Sequence, residues 1–315
     1  MILGINFNEI FAANCDNLRI LDRRNGGSRT VTRHTLLRYH DVGRMGVIDY
    51  TKGVKTSDIK TMSKADKVNV MVSDNGNFES KFGIGFEVEK NSIPSKISTP
   101  LFAGYEADSS CGEERWSGGE EAVTNIIPLV GKGTLRNKVN NMVYEARDII
   151  NDNISPSNHR CGGHITLSCK GLDGAELFKA VRPLMGIVYA LFRKRLINGY
   201  CNKNLRLAVD FRYDLDTRYC SVLQKEKLIE IRLVSRFENT KQVMRRYELM
   251  YELLNFAVNN PNGKFSSFLK IVKPIITRMY GGDEGKVNEI ISLSKSFKKY
   301  IDDGIISEDI AGYVT

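Results

Sequence analysis

Short stretches of this chain set acidic, imidazole and guanidinium groups where they could act together. In Lys81-Phe-Gly-Ile-Gly-Phe-Glu-Val-Glu89 the residues alternate strictly, so Glu87 and Glu89 share a strand face with Gly83 and Gly85. Phe82, Ile84, Phe86 and Val88 take the opposite, core-seeking face. In Cys161-Gly-Gly-His-Ile-Thr-Leu-Ser168, His164 and Thr166 point away from Ile165 and Leu167. In Lys227-Leu-Ile-Glu-Ile-Arg-Leu-Val234, Glu230 and Arg232 point away from Ile229, Ile231 and Leu233. Same-face neighbours on a strand sit ~6.5–7 Å apart. Carboxylates gathered that closely on one sheet repel unless cations lie between them, and a hard divalent ion such as Mg²⁺ is the natural remedy. Each stretch alone has a plainer reading: a wet sheet face, a hydrogen-bonded turn histidine, a cross-strand ion pair. Their joint occurrence carries the chemical reading.

The elements around them are legible in part. Glu121 to Ile127 reads as a strand ended by Pro128, after a loop at Ser117-Gly118-Gly119. Leu135, Val139, Met142, Ala146 and Ile149 recur at helical spacing. Asp173 followed by Glu176 reads as a capping box opening a long helix, kinked at Pro183. Asn239 or Thr240 opens a further helix with Val243, Tyr247, Met250, Leu254 and Ala257 as its stripe, and two more helices follow over 265–280 and 284–300. Residues 1–80 lack helical periodicity and read as a separate, β-rich segment, with a turn over Asp22–Arg29 and a boundary at Asp74-Asn75-Gly76. The remainder, 81–315, reads as one α+β domain.

Composition bounds the rest. The 315 residues are 42% hydrophobic and 26% charged, enough for a sizeable core. The longest apolar stretch, Pro183 to Phe192, is about half of what spans a bilayer. The start of the chain carries Glu9 and no basic cluster, so it does not read as a signal peptide. Six cysteines without metal-ligand spacing read as reduced thiols in a cytoplasmic protein. The net charge is +9, and 14 Lys/Arg face 6 Asp/Glu across 193–246, an excess suited to an anionic partner.

Taken in order, several motifs resemble the amidoligase family, distant relatives of glutamine synthetase and glutamate–cysteine ligase. They are Gly85-Phe-Glu-Val-Glu89, Asp108-Ser-Ser-Cys-Gly112, Glu121-Ala-Val-Thr124 before Pro128-Leu129, Cys161-Gly-Gly-His164 and Glu230-Ile-Arg232. The resemblance covers about residues 80 to 260. It implies a glutamine synthetase-like fold, a curved antiparallel sheet backed by helices, with 1–80 as an extra segment. It also implies ATP- and Mg²⁺-dependent joining of a small-molecule or peptide carboxylate to an amine through an acyl phosphate, with Mn²⁺ able to replace Mg²⁺. By position, Glu87, Glu89 and Glu121 match metal ligands. His164 matches the first histidine of a Cys-Gly-x-His-x-His strand near the nucleotide, and Thr166 replaces the second. Arg232 matches an arginine near the transferred phosphate, Glu230 shares its strand, and Asp108 falls on an aspartate–serine motif. Arg218-Tyr219 matches an arginine–tyrosine pair, and Arg195 and Arg206 are further candidates for ATP or an acidic substrate. The family occurs in viruses and mobile gene clusters.

Two other classes compete. A catalytically retired scaffold, acting in assembly with partner proteins or as a homo-oligomer, fits Thr166, since a hydroxyl cannot ligate a metal as imidazole does. A nucleic-acid-binding module fits the positive charge but lacks aromatics clustered on a basic strand, so it ranks last.

Overall fold

The computed structural model describes residues 17–21, 28–32, 80–94, 99, 101–113, 118–124, 127–196, 221–225 and 228–303. The expected boundary at 74–76, Arg206 and Arg218 lie outside them. Near the start of the chain, β1 (Asn17–Leu21) and β2 (Ser28–Thr32) pair antiparallel with Leu21 opposite Ser28; of the stretch read as a turn, Ser28 and Arg29 lie in β2 and 22–27 lie outside the described residues.

The main architecture is α+β, an open antiparallel sheet with helices. Its strands are β3 (Phe82–Lys90), β4 (Phe102–Ala107), β5 (Glu120–Thr124), β6 (Ile127–Leu129), β7 (Ile165–Cys169), β8 (Val222–Gln224) and β9 (Ile229–Ile231). They run in the order β4-β5-β3-β7-β9-β8, with β6 also on β3. One edge of β3 is shared end to end: β6 pairs with Phe82–Ile84 and β5 with Glu87–Lys90. On its other edge β7 pairs with Phe82–Phe86. The apolar residues Phe82, Ile84, Phe86 and Val88 are all buried, as their alternation predicts.

Pro128 does not end a strand. The chain divides earlier, and Pro128 sits inside β6 opposite Gly83, where β3 is the strand that β6 pairs with. Proline is tolerated there because, among the described residues, β6 pairs with β3 alone and the missing N–H interrupts no second ladder. Its carbonyl instead accepts the Tyr247 hydroxyl at 2.6 Å.

The helices are α1 (Thr134–Glu145), α2 (Arg147–Ile150), α3 (Gly174–Val181), α4 (Gly186–Leu191), α5 (Thr240–Asn259), α6 (Phe265–Met279) and α7 (Glu284–Asp303). Asp173 and Glu176 form the reciprocal capping box on α3. Pro183 does more than kink the long helix: a 3₁₀ turn over Arg182–Leu184 separates α3 from α4. Asn239 caps α5 by accepting from the Gln242 N–H. Gly186 lets α4 approach α7 closely, since a Cβ there would meet the Ser294 carbonyl. One continuous core joins the sheet's apolar face to the stripes of α1, α3, α5, α6 and α7.

Candidate functional site

The β3–β5 ladder places Glu89 directly opposite Glu121. Two residues of opposed strands project to the same face, so the two carboxylates meet. Asp108, just past β4, completes a trio whose ligand oxygens all lie within 4.8 Å of one another. Two of the three are held locally. Asp108 Oδ1 accepts the Ser110 N–H at 2.8 Å, and the Asp108 N–H donates to the Gly119 carbonyl at 2.8 Å. Gly119 permits that approach, because a Cβ would run into the Asp108 carbonyl. Glu89 Oε2 accepts the Gly162 N–H at 2.5 Å.

His164 stands beside this trio at the entry to β7, fixed by the Glu87 N–H donating to its carbonyl at 3.0 Å. Its Nδ1 lies 2.7 Å from Glu87 Oε2 and 3.6 Å from Glu230 Oε1, and its Nε2 lies 3.5 Å from Glu89 Oε1. Glu87, His164 and Glu230 form a second group with ligand atoms within 4.8 Å of one another. The imidazole thus touches carboxylates of both groups.

Glu230 is the most deeply buried of these acids, 1% exposed. Burial alone would raise its pKa, but Lys225 and Arg232 outweigh it, with a smaller contribution from His164, and hold the carboxyl down at about 2 against the opposing charge of Glu87. Lys225 Nζ pairs with Oε2, and Arg232 Nη1 lies 2.5 Å from Oε1. Both oxygens are therefore engaged by cations, so Glu230 anchors Lys225 and Arg232 beside the metal-type carboxylates. Lys225 is the residue that sequence reasoning missed. It lies in a polar Gln-Lys-Glu-Lys run with no local signal, and only the β8–β9 pairing, with the Lys225 N–H on the Leu228 carbonyl at 2.9 Å, turns it inward.

The other candidates are placed differently. Thr166 is buried in register between Gly85 and Glu230. Arg195, in a 3₁₀ turn after α4, donates through Nη1 to the His159 and Cys161 carbonyls at 3.4 and 3.3 Å. Its Nη2 and the Glu89 carboxylate both border the space beside the Gly162 α-carbon: a Cβ there would sit 2.9 Å from Nη2 and 3.3 Å from both Glu89 oxygens. Cys111 and Cys161 are buried free thiols behind the trio, and Cys111 is pushed up first by contact with Cys161, then by burial and the charges of Glu89 and Asp108. It stays a neutral thiol rather than a ligand.

The donor set is hard, carboxylate oxygen with one imidazole, and fits Mg²⁺ or Mn²⁺ rather than a thiophilic ion. No family model and no curated protein matches this chain. Among the described residues no helix is long and apolar enough to cross a membrane.

Proposed function

We propose that this chain is an ATP- and Mg²⁺-dependent carboxylate–amine ligase. The observation that carries the reading is the convergence of five acids and one histidine, drawn from β3, β5, β9 and the segments after β4 and before β7, onto one site flanked by Lys225 and Arg232. Glu89, Asp108 and Glu121 would hold one divalent ion, and Glu87 with His164 a second. Bound there, such ions supply charge neutralisation and Lewis acidity toward phosphate oxygens.

The chain's own groups do the rest. Arg232, with a fork of donors, and Lys225, with a compact charge, stabilise the negative charge that builds on a transferring phosphoryl group. Glu230 keeps both cations in place. His164 orients Glu87, and the Gly162 N–H orients Glu89. A carboxylate is a poor acyl donor, so phosphorylation of the substrate acid gives the amine a leaving group to displace. The unmatched histidine position, Thr166, favours a second reading: a scaffold that binds Mg²⁺–ATP without turnover.

The test is release of ADP and phosphate that depends on an added carboxylate and amine, together with the melting temperature in Mg²⁺ and a non-hydrolysable ATP analogue. Glu87→Gln is expected to abolish turnover while leaving the unliganded melt intact. Stabilisation without turnover in the unaltered protein selects the scaffold, and wild-type turnover in the variant removes the metal-site reading.

A further inference from the structure

Away from the carboxylate cluster, a cavity of about 350 Å³ opens between the end of α4, the Arg193–Arg195 turn and the start of α7. Its wall carries Arg193, Lys194, Arg195 and Lys286 against a single carboxylate, Glu289, with the hydroxyls of Ser235 and Tyr280. Arg193 is already engaged, 2.7 Å from Glu289 and donating to the Ala190 carbonyl. Among the described residues the wall carries one carboxylate for four basic side chains. Lys194 is exposed and makes no ion pair among the described residues, while Lys286 has one long contact, 3.3 Å, with Asp283 at the surface. Arg195 is 7% exposed, yet its buried Nε has no hydrogen-bond partner among the described residues. A buried guanidinium N–H without a protein partner is costly and calls for a water or an ion to satisfy it.

We propose that this cavity binds a small polyanion, a molecule bearing two or more carboxylate or phosphoryl groups. The volume lies at the small end of ligand pockets, ~300–1,000 Å³, which suits a metabolite-sized ion and not a macromolecule. Several cations around one hollow favour a ligand with several charges. Arg195 links the two regions, because its guanidinium and the Glu89 carboxylate both border the space that a Cβ on Gly162 would fill. The inference stands on the cavity and its charges and holds whether or not the carboxylate cluster is a ligase site.

The experiment is titration calorimetry of the full chain with citrate and, separately, with tripolyphosphate, without divalent ions. One-site binding by citrate identifies the carboxylate class, and by tripolyphosphate the phosphoryl class. Lys194→Glu with Lys286→Glu should weaken it ~10-fold or more, and the paired alanine changes should weaken it in the same direction. Lys270→Glu with Lys273→Glu, on exposed positions of α6, removes the same net charge and should change affinity less than ~2-fold. Absence of binding by either probe overturns the proposal, as does equal loss in both charge-reversed pairs, which would mark non-specific attraction to a basic protein.

Discussion

Glu89 and Glu121 face each other across the β3–β5 ladder with no offset in register, two acids where a sheet normally pairs opposite charges. Both are buried, at 6% and 7% exposure. Such a pairing opposes folding unless a cation resides between the two. Glu121→Gln should therefore leave the metal-free protein as stable as before, or up to about 0.5 kcal/mol more so. In the same variant the rise in melting temperature produced by Mg²⁺ should shrink or vanish. A large loss of stability without metal would show that Glu121 is structural instead.

Lys225 and Glu230 form a test of their own. Lys225→Met leaves one oxygen of a buried carboxylate without its cation and is expected to cost about 2–3 kcal/mol. Adding Glu230→Gln should recover much of that loss, giving a coupling energy of about 1–2 kcal/mol in a double-mutant cycle. Additive losses, measured by denaturant unfolding, would mean that the pair contributes nothing.

Acid sensitivity is expected away from the site. Glu248 on α5 lies among Arg136, Arg278 and Arg245 at 3.1, 3.0 and 3.3 Å. Burial raises its pKa, but the arginines outweigh this and lower it. A carboxyl lowered on folding adds stability that is fully present above the unfolded value, about 4.3, and is lost as pH falls through the folded one. Glu248→Gln should be less stable than the parent at neutral pH, and the two stability curves should converge below about pH 4.

Lys90 is a wholly buried ammonium, donating to the Ile150 and Phe237 carbonyls at 2.6 and 2.8 Å and to Asp152 Oδ1 at 2.6 Å. Burial lowers its pKa, with Asp152 opposing. Lys90→Met, similar in length but without donors, should cost about 3 kcal/mol, read from the denaturation midpoint. An unchanged midpoint would mean that water replaces all three bonds.

The parts that were legible in the sequence are those whose cause is local. Alternation predicted which face of β3 is buried, and the three-residue spacing of Asp173 and Glu176 predicted the α3 cap. The pairing of Glu89 with Glu121 was not legible, because register depends on how β5 lies against β3. Lys90 gave no signal at all: its partners lie 60, 62 and 147 residues further along the chain. Pro128 misled because proline argues against a central strand, and nothing in the local sequence says that it sits in a short strand whose partner among the described residues is β3. Arg232 was placed on the Glu230 strand face, whereas β9 ends at Ile231.

The acids of the candidate site and the basic groups beside them are split between early and late strands. A nascent chain halted after β7 already owns Glu87, Glu89, Asp108, Glu121 and His164, yet it lacks Lys225, Glu230 and Arg232. Until the ribosome has released β8 and β9, those acids lack Lys225 and Arg232, and a divalent ion among them would relieve their mutual repulsion. Magnesium in the surrounding medium should thus speed late sheet closure, and depletion should stall the chain at that step.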